Sequence, residues 1–170
     1  MKVGDVMAKE VQFSLPRYEE IPDIGLYLDQ TAKYINSYLE PLGDMNITPS
    51  MISNYVKHGL VENPIKKQYG QEQIAYLFLI AIAKSVMSLE NIQVLINMQR
   101  ERYASAIAYN YFRDELLTIL AEVFEVPNVT DAPSPEASLE QKLCRNMVVA
   151  IAHKIYLDRS IRNFAAKEGS

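Results

Sequence analysis

Between Leu28 and Leu39 the apolar residues Leu28, Ala32, Ile35 and Leu39 recur every three or four positions, the spacing of one helix face. Asp23 stands ahead of this stripe as a candidate N-cap, and Pro41 closes it. A shorter pattern starts at Pro49: Ile52, Tyr55 and Val56 point one way, and Leu60 follows just past the end. Thr48 is placed to accept a hydrogen bond from a first-turn amide, and Pro49 suits the first helical position. Gly59 can take the positive φ that closes a helix, and Pro64 stops any continuation. From Gln71 to Val86 the chain is apolar nearly all round, which predicts a central, buried helix. Ser88 caps a further helix whose Leu89, Ile92, Leu95 and Ile96 face inward.

Two long helices complete the pattern. One runs from about Tyr103 to Phe124, and the other from about Glu136 to Ala165 with Leu143, Met147, Ala150, Ile151, Ile155 and Tyr156 inside. Pro127 to Pro135 is the clearest linker, and residues 1–15 are unpatterned, as expected of a loose arm. Between the short helix and the buried one, Leu60–Val61 and Lys66–Tyr69 flank the turn Glu62-Asn63-Pro64-Ile65, which predicts a minimal hairpin, or wing. The expected organisation is an arm at 1–15, a compact domain at 16–100, and a helical region at 101–170 with its linker near 127–135.

Charge divides the last two helices. Residues 114 to 140 hold seven acids and no Lys or Arg, whereas residues 141 to 168 hold six Lys plus Arg against two acids. Such faces suit an antiparallel pair, within the chain or across a dimer. Exposed ion pairs contribute roughly 0–1 kcal/mol each, so they set register more than strength.

Composition narrows the chemistry. A net charge of −4 over 170 residues argues against coating nucleic acid by bulk charge, while leaving room for a local basic site. The single cysteine, Cys144, has no partner for an internal disulfide and no metal-ligand spacing. His153 stands alone on the last helix and reads as a core or boundary residue. There is no glycine-rich phosphate loop, nucleophile elbow, HExxH or CxxC, so neither an enzyme nor a metal or other cofactor is expected. Neither a signal peptide nor a membrane span is expected, because the longest apolar run, Ile74 to Ala83, is short of the roughly 20 residues that cross a bilayer. A cytoplasmic protein follows as the default.

One polar face carries the candidate chemistry. Ser50, Ser53, Asn54 and Lys57 recur at i, i+3, i+4 and i+7 on the short helix, opposite its apolar side, with no acid among them. Asn54 suits adenine N6 and N7 in the major groove, Ser50 and Ser53 suit phosphates or bases, and Lys57 suits a phosphate. Lys66 and Lys67 beside Tyr69 suit a wing pressed on the backbone. His58, at the helix end, is a further phosphate candidate. A plain solvated face is the alternative for the helix. Tyr103, Tyr109, Tyr111, Phe112 and Phe124 read as packing, with a ligand pocket between the long helices as the alternative.

The succession of Tyr55, Gly59–Leu60, Pro64, Lys66–Lys67 and Tyr69, followed by SLENIQVLI from Ser88 to Ile96, resembles the DNA-binding domain of MerR-type regulators over residues 48 to 98. More narrowly, LPRYEEIPDIGLYLDQ with ITPSMISNYVKHGLVENPIKKQY, over Leu15 to Ile96, resembles the YkrK-like proteins of low-GC Gram-positive bacteria. Those form a domain-of-unknown-function family related to the MerR helix-turn-helix group. The sequence departs from the MerR pattern at Ser53-Asn54-Tyr55, where Arg-Tyr-Tyr is usual, so the phosphate-clamping arginine is missing.

The expected fold class is therefore mostly α, a MerR-like winged helix-turn-helix domain followed by long C-terminal helices. The resemblance implies a sequence-specific transcriptional regulator of repressor type that binds double-stranded DNA as a homodimer, through Ser50, Ser53, Asn54, Lys57, Lys66, Lys67 and Tyr69. A small-molecule effector is compatible with the helical C-terminal region. The alternative expectation is a helical protein-interaction or small-molecule-sensing module that keeps the fold without strong DNA binding.

Overall fold

The computed structural model describes residues 13–124 and 136–168. Among them six α-helices follow in order: α1 (Leu28–Leu39), α2 (Pro49–Lys57), α3 (Gln71–Ala83), α4 (Leu89–Arg102), α5 (Ser105–Val123) and α6 (Leu139–Glu168). Single 3-10 turns lie at Tyr18–Glu20 and Glu40–Leu42.

The position of α3 organises the rest. Every residue from Ile74 to Ala83 is buried, as its all-round apolar sequence requires, and α1, α4, α5 and α6 all pack on it. Phe78 is the hub, with ring centroids 6.0 and 5.8 Å from Tyr34 and Tyr38 of α1 and 6.3 Å from Tyr109 of α5. The first helix presents Ala32, Ile35 and Leu39 to this core, as its stripe predicts, together with Thr31, whose hydroxyl is satisfied by the Tyr27 carbonyl at 2.9 Å. It starts at Leu28 rather than after Asp23. Gly25 takes a φ of +82° and Leu26 pairs with Tyr69, which keeps the chain extended as far as Tyr27.

Mostly α is the architecture, but the expected wing strands do not form among the described residues. Extended pairing is limited to two isolated antiparallel bridges, Leu26 with Tyr69 and Ile65 with Gln68. The reason lies in the next rung. Gly70 N–H donates to Gln73 Oε1 at 2.6 Å while Gln73 Nε2 donates to the carbonyls of Glu62 and Asn63, each at 2.9 Å. The glutamine amide thus sits between Asn63 and Gly70, where a second backbone rung would lie.

The long helices correct another expectation. Contacts progress in the same direction along both: Tyr103 Oη with Ser138 Oγ at 3.0 Å, Glu115 with Arg145 at 2.9 Å, and the Phe124 and Tyr156 rings at 5.4 Å. They are therefore parallel, not antiparallel, and a parallel pair cannot be joined by a short hairpin turn. The inner side of α6 is formed by Cys144, Met147, Val148, Ile151, Ala152 and Ile155. Leu143, Ala150 and Tyr156, expected inside, are exposed, because the buried stripe is turned round the helix by about one residue from the predicted one. Asp114 is held by Arg113 of its own helix and by Arg17, at 2.7 and 3.3 Å. Lys154 pairs with Asp158 within α6 at 2.6 Å.

Residues 1–12 of the expected arm, and the linker near 127–135, lie outside the described residues. Phe13 and Leu15 are packed on the domain: Phe13 lies 5.3 Å from the Phe124 ring, and the Leu15 carbonyl accepts from Arg113 Nε at 2.7 Å. No helix among the described residues is long and apolar enough to cross a membrane.

Burial between α5 and α6 pushes the Cys144 thiol up to about 12, with the nearby Glu115 carboxylate adding to the shift. The unfolded chain loses this proton nearer the ordinary thiol value, so stability falls as pH rises from there towards about 12. Iodoacetamide at pH 8.5 is expected to alkylate Cys144 at least about a hundredfold more slowly in the native protein than in denaturant. Similar rates in both states would contradict the burial of Cys144 between α5 and α6.

Candidate nucleic-acid interface

Both ends of α2 are built as the sequence predicts. Thr48 Oγ1 accepts from Met51 N–H at 3.1 Å, and Pro49 opens the helix where no intrahelical donor is needed. At the other end Gly59 takes a φ of +78°, its N–H bonds the Val56 carbonyl at 3.1 Å, and Leu60 N–H bonds the Tyr55 carbonyl at 2.9 Å. These two bonds form a Schellman motif. Ile52, Tyr55 and Leu60 are buried beneath, so the helix is held by its apolar side. Ser50, Ser53, Asn54 and Lys57 are left exposed on the other side.

Three polar side chains from elsewhere fasten this helix, none of them evident from the sequence pattern. Asn36 of α1 pairs both ways with the Ile47 backbone, Nδ2 to carbonyl at 2.7 Å and N–H to Oδ1 at 2.8 Å, and so fixes the approach to α2. Lys84, just past α3, donates to the Asn46 carbonyl at 2.9 Å, and partial burial lowers its ammonium below the ordinary lysine value. Gln93 of α4 donates to the Gly59 carbonyl at 3.1 Å and fixes the exit. A long connection between α1 and α2 is thereby given the rigidity that a three- or four-residue turn supplies in a shorter helix-turn-helix.

The wing tip is a two-residue turn. Ile65 and Gln68 exchange both backbone hydrogen bonds, at 3.1 and 3.0 Å, and between them Lys66 and Lys67 have φ values of +52° and +64°. This is a type I′ geometry, which favours Asn-Gly. A residue bearing a Cβ in that region is strained by roughly 1–2 kcal/mol. The two lysines are thus placed at the tip in spite of local preference, and both are exposed. Gly25 supports the tip from the side. A Cβ there would meet Gln68 Oε1 at 2.9 Å and Gln68 Cβ at 3.0 Å, on a φ that already excludes most side chains.

Tyr69, expected among the contacting residues, lies in the core with only 4% of its surface exposed. Its N–H and carbonyl pair with Leu26 at 2.7 and 3.0 Å, and burial raises its phenol above the ordinary value. Its part is to anchor the tip. The remaining six candidates are brought to the surface on two adjoining elements, α2 and the turn, linked through buried Leu60 and Val61 and the Gln73 rung. His58 is also exposed, at the end of α2.

Among the described residues, the aromatic side chains of the long helices are mainly packing groups. Tyr109 and Phe112 belong to the core, and Tyr109 Oη donates to the Pro16 carbonyl at 2.7 Å. Tyr103 and Tyr111 line a cavity of about 60 Å³ beside Cys144, well below the several hundred Å³ of a typical ligand pocket.

Residues 16–112 match the model of a family described as Domain of unknown function (DUF1836), and the chain belongs to that family. No curated protein and no solved structure matches the chain. The matched span contains α2, the turn, and each side chain that fastens them.

The double variant Lys66→Asn, Lys67→Gly is expected to relieve the turn strain by about 1 kcal/mol and raise the melting temperature by about 2–4 °C. Gly25→Ala is expected to lower it. A drop in melting temperature for the Asn-Gly variant would show that the lysines are not held against their preference.

Proposed function

We propose that this DUF1836 protein is a MerR-like, sequence-specific regulator of the YkrK-like group, a repressor that binds double-stranded DNA as a homodimer in the cytoplasm. The observation that carries this reading is the exposed, acid-free face of Ser50, Ser53, Asn54 and Lys57 on a helix fastened at both ends, adjoining a rigid turn tipped by Lys66 and Lys67. A fixed polar helix face suits a major groove, where a bidentate Asn–adenine pair discriminates by roughly 1–3 kcal/mol. The three lysines suit phosphates and set the register of the helix rather than its sequence preference.

Charge arithmetic gives the reason for two copies. Three phosphate contacts correspond to a salt exponent of about 2.7 per copy, too little for tight binding at physiological salt, and about 5.4 for a dimer. A two-fold symmetric site with half-sites one helical turn apart is the geometry that two such helices read. With no arginine on α2, each copy grips lightly and the pair supplies the affinity.

A second reading, a protein-interaction module that retains the fold, is favoured by one feature. An open apolar groove of about 270 Å³ lies between α4 and α6, lined by Met87, Val94, Met98, Leu143 and Met147, with Asn91 and Leu95. Methionine-rich grooves adapt to helical partners.

A mobility-shift assay on the protein's own promoter region separates the two. Asn54→Ala with Lys57→Ala is expected to weaken specific binding at least about tenfold while leaving the melting temperature within about 2 °C, since both residues are exposed. Binding no tighter than to unrelated DNA, at moderate salt and with dimer present, would sink the regulator reading and leave the interaction module.

A further inference from the structure

We propose that the wing tip enters the DNA minor groove with Ile65 as an apolar wedge between base steps, Lys66 and Lys67 lying on the flanking phosphates. The inference rests on the DNA-binding reading above and deepens it by assigning a contact to a residue outside the polar face. Ile65 is 76% exposed, although it is a large aliphatic residue at the edge of a rigid turn. The two antiparallel bridges give its register. Leu26 opposite Tyr69 puts Tyr27 across from Gln68, and Gln68 is opposite Ile65. Ile65, Gln68 and Tyr27 therefore share the outer face, whereas buried Tyr69 and half-buried Leu26 share the inner one. Tyr27 is 52% exposed, and Ile24, just ahead of Gly25, is 80% exposed.

Charge selects which of these apolar groups inserts. Asp23 and Asp29 flank Ile24 and Tyr27 along the chain, whereas no acid occurs from Asn63 to Gln71. The segment with the acids stays at the rim, and Ile65, followed directly by two cations, goes in. Size selects the partner. One isoleucine with a neighbouring tyrosine is too small a patch for a stable protein interface, which needs about 1,000 Å². A minor groove about 6 Å wide excludes a helix but takes an inserted apolar side chain. Wedging an aliphatic side chain between base steps unstacks them and kinks the duplex. For this the tip must not yield. It is held by the reciprocal Ile65–Gln68 bonds, the seat of Gln68 on Gly25, the Tyr69–Leu26 bridge, and the Gln73 amide. A β-branched side chain at χ1 adds its own stiffness.

The test uses the full chain with fluorophores on the two ends of a duplex carrying the promoter region, reading affinity and end-to-end distance together. Wild type is expected to bend the bound DNA by at least about 20°. Ile65→Ser is expected to bind about tenfold more weakly and leave the duplex nearly straight, with an unchanged melting temperature. Ile65→Leu is expected to retain both affinity and bend. Unchanged affinity and bend in Ile65→Ser, while Asn54→Ala with Lys57→Ala still abolishes sequence preference, would overturn the wedge and leave the DNA-binding reading standing. Failure of wild type to prefer its promoter would remove both. A change of oligomeric state in Ile65→Ser, without a change in DNA bending, would assign the tip to a protein contact and overturn the wedge.

Discussion

A helix with no polar face between Ile74 and Ala83 must be covered on every side, and that constraint sets the fold. Tyr34 and Tyr38 of α1 and Tyr109 of α5 close round Phe78, and α4 and α6 take the remaining sides. Because Gly70, directly after the wing, is the N-cap of α3, the fixed first turn of the helix also fixes the turn ahead of it. The Gln73 amide, one residue before the buried run, reaches back to Asn63 and Gly70. Core packing and the candidate interface thus meet within four residues.

The same device recurs round α2. Side-chain amides of Asn36, Gln73 and Gln93 bond to backbone groups in irregular segments, the Asn36 pair in a half-buried setting and the Gln73 and Gln93 bonds to carbonyls at the surface. Such a bond contributes about 0.5–1.5 kcal/mol net, and at the half-buried Asn36–Ile47 pair an unmet partner would cost more than the bond gains. No buried side-chain nitrogen or oxygen among the described residues lacks a hydrogen-bond partner. Rigidity at the interface therefore comes from polar closure of the connections, while the apolar core decides where the helices lie.

The sequence was legible wherever a local rule was sufficient. Thr48, Pro49 and Gly59 mark the bounds of α2, Ser88 caps α4 by accepting from Asn91 N–H at 3.2 Å, and the apolar run of α3 is buried as its composition requires. It was opaque where partners lie far apart in the chain. The amide bridges of Asn36 and Gln93 leave no periodic trace, and nothing local distinguishes Gln73 as a substitute for a strand rung. Asp23 looked like a cap because Gly25 and the Leu26–Tyr69 bridge, which delay the helix, act through tertiary pairing. Tyr69 looked like a contact because of its basic neighbours, yet alternation at the turn sends it inward. Charge segregation suggested antiparallel long helices, but one half-buried pair, Arg145 with Glu115, is equally well made in a parallel arrangement.

That parallel arrangement has a kinetic consequence. Antiparallel helices can zip together from a short turn, whereas α6 meets α5 only after a long loop closes, with Glu115 and Arg145 30 residues apart in the chain. During synthesis α5 precedes α6, so the side of α5 that α6 covers stays open until α6 has been made. For that interval apolar surface lies open on an otherwise assembled body, which makes association between incomplete chains the hazard of this topology.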